Sequence, residues 1–437
     1  MRMLLPSRLL LILAGLGLAI AIGAALGWWP DALWRYVVVL IAAASVVDAI
    51  ALLRLPLPVA ERDAVTAFAA GRWHEVRLRV SNEARRAIHA RIHDLHPAGF
   101  ESRDLPQEVE IPARGWAQVT YGLRSSRRGN FDFGQATLRM RSGLGLLERQ
   151  IRVGESQSVR VYPDFGALSG YALLATDHRL SQLGVLQRRR RGEGMDFHQL
   201  REYRIGDSLR RIDWKATSRM HRLISREYQD ERDQVIMIVL DCSRRMAARD
   251  GETSHFDAAL DAALLLGHVG LHHGDAVGVL TMGGEPRFIA PRKSRSTITL
   301  MLHRLYDLEP SDRAPDYHAV ALEIMQRVRK RALVMVLSNL RDEDDDTLLP
   351  ALEMLRRRHL VLFASLRERI LTAALSAAVH DFDSALSHAA AADYLRDRFA
   401  SFRRLERRGA QLLDVEPQEL PLALVNRYLE IKRSGIL

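Results

Sequence analysis

Cysteine and lysine are both scarce in this sequence. Its 437 residues contain one cysteine, Cys242, so no intramolecular disulfide can form and a reducing compartment is the simpler setting. Lysine occurs only as Lys215, Lys293, Lys330 and Lys432, so arginine carries almost all of the positive charge behind the net charge of +10. With alanine and leucine also abundant, this bias is typical of a compositional habit rather than of a clustered nucleic-acid surface. We therefore expect no nucleic-acid partner.

Motifs for nucleotide binding and for nucleophilic catalysis are incomplete. The pair Gly192-x-Gly194 lacks the third glycine and the following helix of a dinucleotide motif, and it also lacks the Gly-Lys-Ser/Thr of a phosphate loop. The dipeptide Ser254-His255 has no partner pattern of a nucleophilic triad. We therefore expect a protein that is not an enzyme.

Two apolar runs near the N-terminus predict a membrane anchor. A chain of 437 residues that is 48% hydrophobic is expected to fold as two or three units. The runs cover residues 9–26 and about 36–53, and each approaches the roughly 20 apolar residues that span a bilayer. Trp28 and Trp34 lie where an interfacial aromatic belt would be. We predict a transmembrane helical hairpin over residues 1–58.

The arginines around this hairpin predict its orientation. Only Arg35 lies in or beside the connection between the two runs. The arginines that flank the hairpin are Arg2 and Arg8 before it and Arg54, Arg62 and Arg72 after it. The positive-inside rule then puts both termini and the soluble domains in the cytoplasm, with the lipid bilayer as one partner. The alternative is that the first run is a cleaved signal peptide. Asp48, inside the second run, is expected to share its charge with Arg54.

In residues 59–165 apolar and polar residues alternate with a period of two. Val76, Leu78 and Val80 alternate with arginines, as in a strand with one buried face. Glycine and proline punctuate further segments of the same kind, which suits a small antiparallel sandwich. We predict a β-sandwich-like domain over this range.

Residues 235–437 predict an α/β domain. Apolar runs of strand length at 235–240, 332–337 and 360–366 alternate with helical patterns, of which one long example covers 394–408. Continuous apolar strands between helices imply a mostly parallel sheet covered on both faces. The predicted fold class is therefore multi-domain, with a transmembrane helical hairpin, a β-sandwich-like domain and a Rossmann-like α/β domain.

Two polar residues follow the first of these apolar strands. Asp241 and Ser243 come directly after the run at 235–240. In open α/β sheets ligands bind beyond the carboxyl ends of the strands. The sequence therefore predicts a functional site at this strand end.

A linker and a polar signature loop, residues 166–234, precede that strand. The residues that define the signature loop are Gly192, Gly194, Asp196, Phe197, Arg201, Tyr203, Gly206, Asp207, Arg210, Asp213, Trp214 and Lys215. Their mixed charges suit a hydrogen-bonded latch that fastens the loop to the sheet, with Trp214 as its apolar anchor. Upstream, four arginines at 188–191 either rest on anionic lipid or belong to an exposed loop.

These segments together resemble the bacterial domain-of-unknown-function family fifty-eight. The resemblance rests on the signature loop, on Asp241-Cys-Ser243 and on the closing Asn426-Arg-Tyr428-Leu-Glu-Ile-Lys432, and it extends over nearly the whole chain. It implies a protein of the bacterial inner (cytoplasmic) membrane with a von Willebrand factor A-like domain. It also implies an AAA+ ATPase of MoxR type as partner, in chaperone-like complex assembly or envelope maintenance.

The same resemblance implies where a divalent cation would bind. In von Willebrand A domains the strand end carries Asp-x-Ser-x-Ser, joined by a threonine and an aspartate from other loops, because Mg²⁺ prefers such oxygen ligands. Asp241 and Ser243 match, but Arg245 replaces the second serine and Asn339 stands where the aspartate is expected. The loop where a threonine would stand reads Ala314-Pro315-Asp316. The metal site is degraded by this comparison, and neither Mg²⁺ nor another cofactor is expected.

Arg245 bears most on the metal prediction. A guanidinium about 4 Å from a dication would be opposed by roughly 8 kcal/mol at an effective dielectric of about 20. We hypothesise that Arg245 neutralises Asp241 or offers its fork to a partner carboxylate; the alternative is that it extends into solvent. The predicted partner-binding residues are Asp241, Ser243, Arg245 and Asn339.

Together these features predict a non-enzymatic, membrane-anchored interaction or scaffold protein of the cytoplasm. One alternative is a metal-dependent enzyme that uses Asp241, Ser243 and the acidic residues Asp342 and 344–346. Another is a membrane-tethered nucleic-acid binder, whose affinity would fall steeply with salt because neutralised phosphates release counterions.

Overall fold

The computed structural model of this chain contains two compact units, Met1–Asp164 (unit 1) and Phe165–Leu437 (unit 2). The structure describes residues 3–28, 30–63, 66–166, 196–204, 209, 212–229, 234–251, 253–341 and 344–436. The four arginines at 188–191 therefore lie outside the described residues, and both explanations of them stay open.

Unit 1 begins with a short strand and two apolar helices. Strand β1 is Met3–Pro6, helix α1 is Arg8–Ala25 and helix α2 is Asp31–Leu53. Ser7 caps α1, because its hydroxyl accepts a hydrogen bond of 3.2 Å from the backbone N–H of Leu10. Both helices are long and apolar enough to cross a membrane, by length and composition. This confirms the predicted pair of apolar helices.

The rest of unit 1 consists of strands. They are β2 Val59–Asp63, β3 Ala67–Ala69, β4 His74–Ser81, β5 Ile88–His93, β6 Phe100–Arg103, β7 Gln107–Ile111, β8 Trp116–Ser125, β9 Gly129–Phe133, β10 Ala136–Arg141, β11 Leu147–Val153 and β12 Gln157–Tyr162. Their orders are β1-β11-β10-β5-β7, β2-β4-β8-β6 and β3-β12-β9. All of these pairs are antiparallel except β3 with β12, which is parallel.

One hydrophobic core joins the sheets of unit 1. Val76, Leu78 and Val80 on β4 are buried in it, whereas Arg77 and Arg79 between them are exposed. Successive side chains of a strand point to opposite faces, so the alternation in the sequence predicts this arrangement directly. The predicted β-rich character of this region is confirmed.

The contacts of Asp48 differ from those expected from the sequence. Its carboxylate is buried and accepts hydrogen bonds from Ser142 Oγ (2.5 Å) and from the backbone N–H groups of Leu144 (3.1 Å) and Leu146 (3.2 Å). The expected pairing with Arg54 is wrong, because that side chain is exposed and the turn between β10 and β11 supplies donors instead. Asp48 thus joins the end of α2 to the sheet of unit 1.

Unit 2 contains a small hairpin and an α/β sheet. Its elements are β13 Asp196–Glu202, α3 Trp214–Met220, β14 Ile224–Gln229, β15 Val235–Asp241, a 3₁₀ turn Arg244–Ala247, β16 Arg249–Asp250, β17 Thr253–Ser254, α4 His255–His272, β18 Ala276–Met282, β19 Phe288–Arg292, α5 Ser296–Leu305, α6 Tyr317–Arg327, β20 Leu333–Ser338, α7 Asp345–Arg356, β21 Leu360–Leu366, α8 Arg369–Ser376, α9 Phe382–Arg407, β22 Gln411–Val415 and α10 Leu420–Ser434.

The main sheet of unit 2 has six strands in the order β19-β18-β15-β20-β21-β22. Only β19, at the edge, runs antiparallel to its neighbour. The chain starts in the middle with β15, moves outward through β18 and β19, and then returns to the other side of β15 with β20. This reversal between β15 and β20 is a topological switch point, where open α/β sheets form a crevice for ligands.

Helices cover both faces of this sheet. Phe256 on α4, Met301 on α5 and Tyr428 on α10 pack into one hydrophobic core, whereas Ile324 on α6 and Leu405 on α9 pack into another. The apolar strands are buried on both faces, as parallel sheets between helices are. The coarse fold class, apolar helices followed by a β-rich region and an α/β region, is confirmed.

Two helical boundaries differ from the prediction. Helix α9 begins at Phe382 rather than at 394, where a capping box joins Asp381 and Ser384. Helix α8 was not anticipated, and none of its residues is buried. Both segments leave apolar side chains in solvent, among them Ile370, Phe382 and Leu386.

Candidate functional site

Asp241 ends β15 and is completely buried at the switch point. Its Oδ1 accepts a hydrogen bond of 2.8 Å from the backbone N–H of Ser243, and its Oδ2 accepts one of 2.5 Å from Ser338 Oγ. Ser338 ends β20, the neighbouring strand across the reversal. The two strand ends predicted to carry function are therefore joined to each other by a side-chain hydrogen bond.

Burial raises the pKa of the Asp241 carboxyl, because a charge inside the protein loses its hydration. The hydrogen bonds from Ser338 and Ser243 and the nearby charge of Arg245 lower this pKa, but by less than burial raises it. The Ser243 hydroxyl contributes to that lowering, although its Oγ lies outside hydrogen-bonding geometry with every described acceptor.

Arg245 is held by Asp344 rather than by Asp241. Its Nη2 donates to Asp344 Oδ1 at 3.0 Å, its Nη1 donates to Asp344 Oδ2, and Nη1 also donates to the carbonyl oxygen of Asn339 at 2.9 Å. The side chain is only 8% exposed. Burial lowers the pKa of Arg245, but the hydrogen bond with Asp344 and the electrostatic effects of Tyr317, Asp344 and Asp241 together outweigh it, and the pKa is raised.

This geometry corrects the hypotheses about Arg245. It does not neutralise Asp241 by contact, its fork is not open to a partner carboxylate, and it does not extend into solvent. The reason in each case is Asp344, whose two carboxylate oxygens accept from both terminal nitrogens of Arg245. A planar guanidinium forms its strongest contact with a carboxylate in this bidentate arrangement. Asp344 directly precedes α7, and its Oδ2 accepts from Arg245 and from the backbone N–H of Arg341 (3.1 Å).

Tyr317 links the two carboxylates of the site. Ser338 donates its hydroxyl hydrogen to Asp241, so Tyr317 Oη is the donor to Ser338 Oγ at 3.1 Å, and it shares the same hydrogen with Asp344 Oδ2 at 3.5 Å. Its pKa is raised well above the usual value by burial, and the charges of Asp344 and Asp241 add to this. No feature of the sequence indicated this role, because a tyrosine at the start of a helix is ordinarily a core residue.

Asn339 faces away from Asp241. Its Nδ2 donates to Glu368 Oε1 at 2.7 Å, and its Oδ1 accepts from Arg398 Nη1 at 3.0 Å. Asn339 is completely buried, so this amide is a structural member of the strand end. The side chains predicted for partner binding, Asp241, Ser243, Arg245 and Asn339, are thus brought close together but are largely enclosed.

Arg398 on α9 fastens the ends of three strands. This guanidinium, in a residue that is 4% exposed, donates to the hydroxyl of Ser365 (2.6 Å) and to a carboxylate oxygen of Asp414 (2.8 Å). It also donates to the backbone carbonyls of Leu340 (2.8 Å) and Leu366 (2.9 Å). Sequence reasoning missed this residue, because an arginine in a charged helix looks like a solvated side chain.

The residues present do not fit a bound divalent cation. Both carboxylate oxygens of Asp241 already accept hydrogen bonds, the amide of Asn339 is engaged elsewhere, and the Arg245 guanidinium lies beside them. Asp316, in the loop where a threonine would stand, caps α6 by accepting from the N–H of Ala319 at 2.9 Å. Within the described ranges, no three His, Cys, Asp or Glu side chains form a metal-binding group. Asp342 lies outside those ranges.

A pocket of about 230 Å³ opens beside this network. Its lining residues are Arg244, Arg245, Ala314, Pro315 and Arg341. Three of them are arginines and none is acidic. The accessible part of the strand end is therefore a positively charged concavity.

The approach of β18 to this site depends on a glycine. Gly283 has φ +74°, and a Cβ there would lie 2.9 Å from the Cβ of Ser243. Its carbonyl oxygen accepts a hydrogen bond from Ser311 Oγ, and the N–H of Ser311 donates to the carbonyl of Cys242 at 2.8 Å. A larger residue at this position would displace the turn that carries Ser243.

The signature loop forms a separate hairpin in its described part. Asp196, Phe197 and Arg201 lie on β13, which pairs with β14. The N–H of Tyr203 donates to the carbonyl of Leu223 at 2.9 Å, and Lys215 lies on α3. The remaining members predicted for this loop lie outside the described residues: Gly192, Gly194, Gly206, Asp207 and Arg210.

Asp213 organises this hairpin. Its Oδ1 accepts from the N–H of Ala216 (2.9 Å) and caps α3, and its Oδ2 accepts from Arg226 Nε (2.9 Å). These bonds, first that from Ala216 and then that from Arg226, lower the pKa of Asp213. Trp214 is 67% exposed, so its predicted role as buried anchor is wrong. The described ionic contacts of the loop stabilise its own turn.

Comparisons with known proteins give one family match. The model of the family described as "Protein of unknown function DUF58" matches residues 199–408. No curated protein matches the sequence.

Similar solved structures are remote and partial. A segment of native alpha-2-macroglobulin from Escherichia coli is 17% identical, with a TM-score of 0.21, and the match covers 25% of this chain and 17% of that one. The PapD-like domain 7 of human CEP192 is 12% identical, with a TM-score of 0.18 and coverages of 24% and 85%. The cupredoxin domain of amoB from Nitrosocaldus yellowstonii is 14% identical, with a TM-score of 0.17 and coverages of 23% and 82%. Such low TM-scores carry no argument about this chain.

Proposed function

This chain belongs, through residues 199–408, to the DUF58 family of proteins of unknown function, and on that premise we propose that it is a non-enzymatic interaction protein anchored in a bacterial cytoplasmic membrane. The two apolar helices of unit 1 supply the anchor. The switch point of unit 2 supplies the docking surface. Both termini and both soluble parts lie in the cytoplasm, an orientation supported by the arginines around the helices.

One observation carries the proposal, namely that five of the polar side chains at the switch point satisfy one another. Asp241, Ser338, Tyr317, Asp344 and Arg245 form one chain of hydrogen bonds and an ion pair. A catalytic acid, base or nucleophile must reach its substrate within hydrogen-bond distance. Groups that are buried and already paired are instead suited to hold a surface in a fixed shape.

The same proposal includes the type of domain that unit 2 forms. We assign its sheet to a von Willebrand factor A-like domain whose cation has been replaced by the Arg245–Asp344 pair. The sheet order with one antiparallel edge and the match of Asp241 and Ser243 to the strand-end motif support this assignment. The residues available for a cation at this edge do not fit one, so we propose docking that needs no metal.

The partner we propose is an AAA+ ATPase of MoxR type, for which this protein acts as membrane adaptor in complex assembly or envelope maintenance. The support for that partner is the sequence resemblance alone. An adaptor needs an anchor, an exposed docking site and no chemistry of its own, and each of these is consistent with the geometry of the described residues.

Co-purification tests this function. The tagged full-length protein is extracted from its native membranes in mild detergent, and proteins enriched over a tag-only control are identified by mass spectrometry. We expect a specific AAA+ ATPase among them. Failure to enrich any protein would contradict the interaction role, and metal-stimulated hydrolysis by the purified protein would contradict the non-enzymatic one.

One observation favours the metal-dependent alternative. Ser243 Oγ is completely buried and lacks a hydrogen-bond partner among the described residues, as a hydroxyl reserved for a cation would. The alternative therefore predicts that a divalent cation binds beside Ser243 and Asp241. A direct metal titration separates it from docking without a metal.

A further inference from the structure

We propose that the pocket lined by Arg244, Arg245 and Arg341 binds a carboxylate side chain from an acidic segment of a partner polypeptide. Arg244 and Arg341 make the contacts, and Arg245 holds the pocket in shape. This inference rests on the proposed function and names the chemistry that the partner presents to this site. It also reassigns the contact residues, because the sequence pointed to Arg245.

The pocket carries positive charge that its own lining does not neutralise. The charge of Arg245 is met by Asp344. Arg244 is exposed, and its side chain forms no ion pair within the part of the chain that the structure describes. Arg341 is 3.9 Å from a carboxylate oxygen of Glu368, beyond hydrogen-bond distance, and its buried Nε has no partner among the described residues. An anion in the pocket would therefore meet two guanidinium groups with free donors.

The arginines are held on rigid supports. The backbone N–H of Arg244 donates to the carbonyl of Arg313 at 3.1 Å, which fixes the start of the 3₁₀ turn. The N–H of Arg341 donates to the Asp344 carboxylate that also binds Arg245. A site whose backbone is fixed before binding loses less conformational freedom when the ligand arrives. The buried pair of Arg245 and Asp344 thus helps to hold the exposed part of the pocket in position.

The size and lining of the pocket favour a carboxylate over a nucleotide. Its volume of about 230 Å³ is below the roughly 300–1,000 Å³ of typical small-molecule sites, which include cofactor sites. Ala314 and Pro315 supply its uncharged wall, so no aromatic ring is available on which a base could stack. A guanidinium fork matches the two oxygens of a carboxylate. An aspartate or glutamate side chain fits these limits.

The test measures binding of an acidic peptide to the full-length protein in detergent micelles. The probe is fluorescein-labelled hexaglutamate, followed by fluorescence anisotropy at low ionic strength, with labelled hexaglutamine as the uncharged peptide. We expect the hexaglutamate alone to bind. Arg244→Gln and Arg341→Gln should each weaken that binding roughly tenfold, because a charge-assisted hydrogen bond contributes that much. Arg295→Gln, an exposed arginine with the same charge loss, should leave the binding unchanged.

Several outcomes would overturn the inference. Absence of hexaglutamate binding, or equal binding by the wild type and both pocket variants, would remove the site. Displacement of the peptide by inorganic phosphate at lower concentration than by glutarate would overturn the carboxylate assignment. If the AAA+ partner co-purifies with a variant that carries both Arg244→Gln and Arg341→Gln as well as with the wild type, the site is wrong and the adaptor function stands. If the peptide binds through these arginines but no partner is ever recovered, the site stands and the adaptor function fails.

Discussion

Arg245 and Asp344 form the ion pair on which the candidate site depends. Their side chains are 8% and 6% exposed, so neither charge can be solvated if the other is removed. Arg245 also holds the carbonyl oxygen of Asn339, and Asp344 also holds the N–H of Arg341. The pair therefore connects the 3₁₀ turn after β15 to the segment after β20.

A double-mutant cycle measures this pair. Arg245→Gln and Asp344→Asn should each lower the free energy of unfolding by about 3 kcal/mol, because each leaves a buried charge without its partner. The double variant should lose clearly less than the sum of the two, since no lone charge remains. Arg396→Gln, which breaks the exposed pair with Asp393, should cost less than about 0.5 kcal/mol. Additive losses in the cycle would show that the two residues do not interact.

His359 makes stability depend on pH. It is 3% exposed, and burial followed by the charge of Arg358 lowers its pKa to about 4. Below the ordinary histidine pKa of about 6.5, this histidine binds a proton in the unfolded chain but stays neutral in the folded chain. The free energy of unfolding therefore falls as the pH drops from about 6.5 to 4. Above that window His359 has no effect.

The variant His359→Leu tests this assignment. Its melting temperature should match that of the wild type or exceed it at pH 7, and should fall less between pH 6.5 and 4.5. The expected difference reaches about 1.4 kcal/mol per pH unit in that window. Parallel curves for the two proteins would mean that His359 is not buried in neutral form.

Asp48 acts at the level of elements, because it ties α2 to the turn between β10 and β11. The turn directs the hydroxyl of Ser142 and the N–H groups of Leu144 and Leu146 at this one carboxylate. Arg149, which is buried on β11, donates to the backbone carbonyl of Leu52 at 3.1 Å. The end of the second apolar helix is thus fixed to its sheet by contacts at two points.

Replacing Asp48 should loosen this junction. Asp48→Asn retains one acceptor oxygen for three donors, so we expect a loss of about 2 kcal/mol in the free energy of unfolding. Ser45→Ala is the matched control, because Ser45 Oγ donates to the carbonyl of Ile41 within the same helix and to no other group among the described residues. Thermal unfolding in detergent and limited proteolysis at residues 142–146 provide the readouts. Equal behaviour of the two variants would contradict the role of Asp48 in joining α2 to this turn.

Some elements could be predicted from sequence and others could not. The strands Ala276–Met282 and Leu360–Leu366 are continuous apolar runs, and such runs are buried on both faces wherever they occur. Strand β1 was missed because Met3–Pro6 is apolar and merges with the helix that follows. The early start of α9 was also missed, and Phe382 at that start is exposed.

The same contrast applies to the site. Asp241 could be placed at the functional edge because it follows an apolar strand, and a strand end is a local feature. The choice of Asp344 as partner of Arg245 could not be predicted, since the two are distant in sequence and several acidic residues compete. Arg398 could not be found either, because a buried arginine looks like any other arginine in a helix. The position of a site residue at a strand end was thus predictable, whereas the partner of each charged side chain was not.

At the scale of the whole molecule, the chain has two compact units, the first of which contains the pair of apolar helices. Its arginines are concentrated outside the two apolar helices, and this arrangement is the basis of the proposed orientation. The proposed function requires that the switch point face the cytoplasm, where an ATPase partner would be found.

Reporter fusions test that orientation. A reporter at the C-terminus should register as cytoplasmic, and one inserted in the connection between α1 and α2 should register as periplasmic. The alternative, in which the first apolar helix is a cleaved signal peptide, predicts a C-terminus on the same side but a shorter mature chain. A periplasmic signal from the C-terminus would overturn the argument from charge.

The central claim is that the switch point docks a partner without a metal ion, and calorimetric titration of the full-length protein with Mg²⁺ and Mn²⁺ tests it most directly. Because both oxygens of Asp241 are engaged and Arg245 lies beside them, we predict no binding in the micromolar range. Ser243→Ala should then behave as the wild type does. Micromolar binding that Ser243→Ala weakens and Asp241→Asn abolishes would contradict this account and establish a metal site at the strand end.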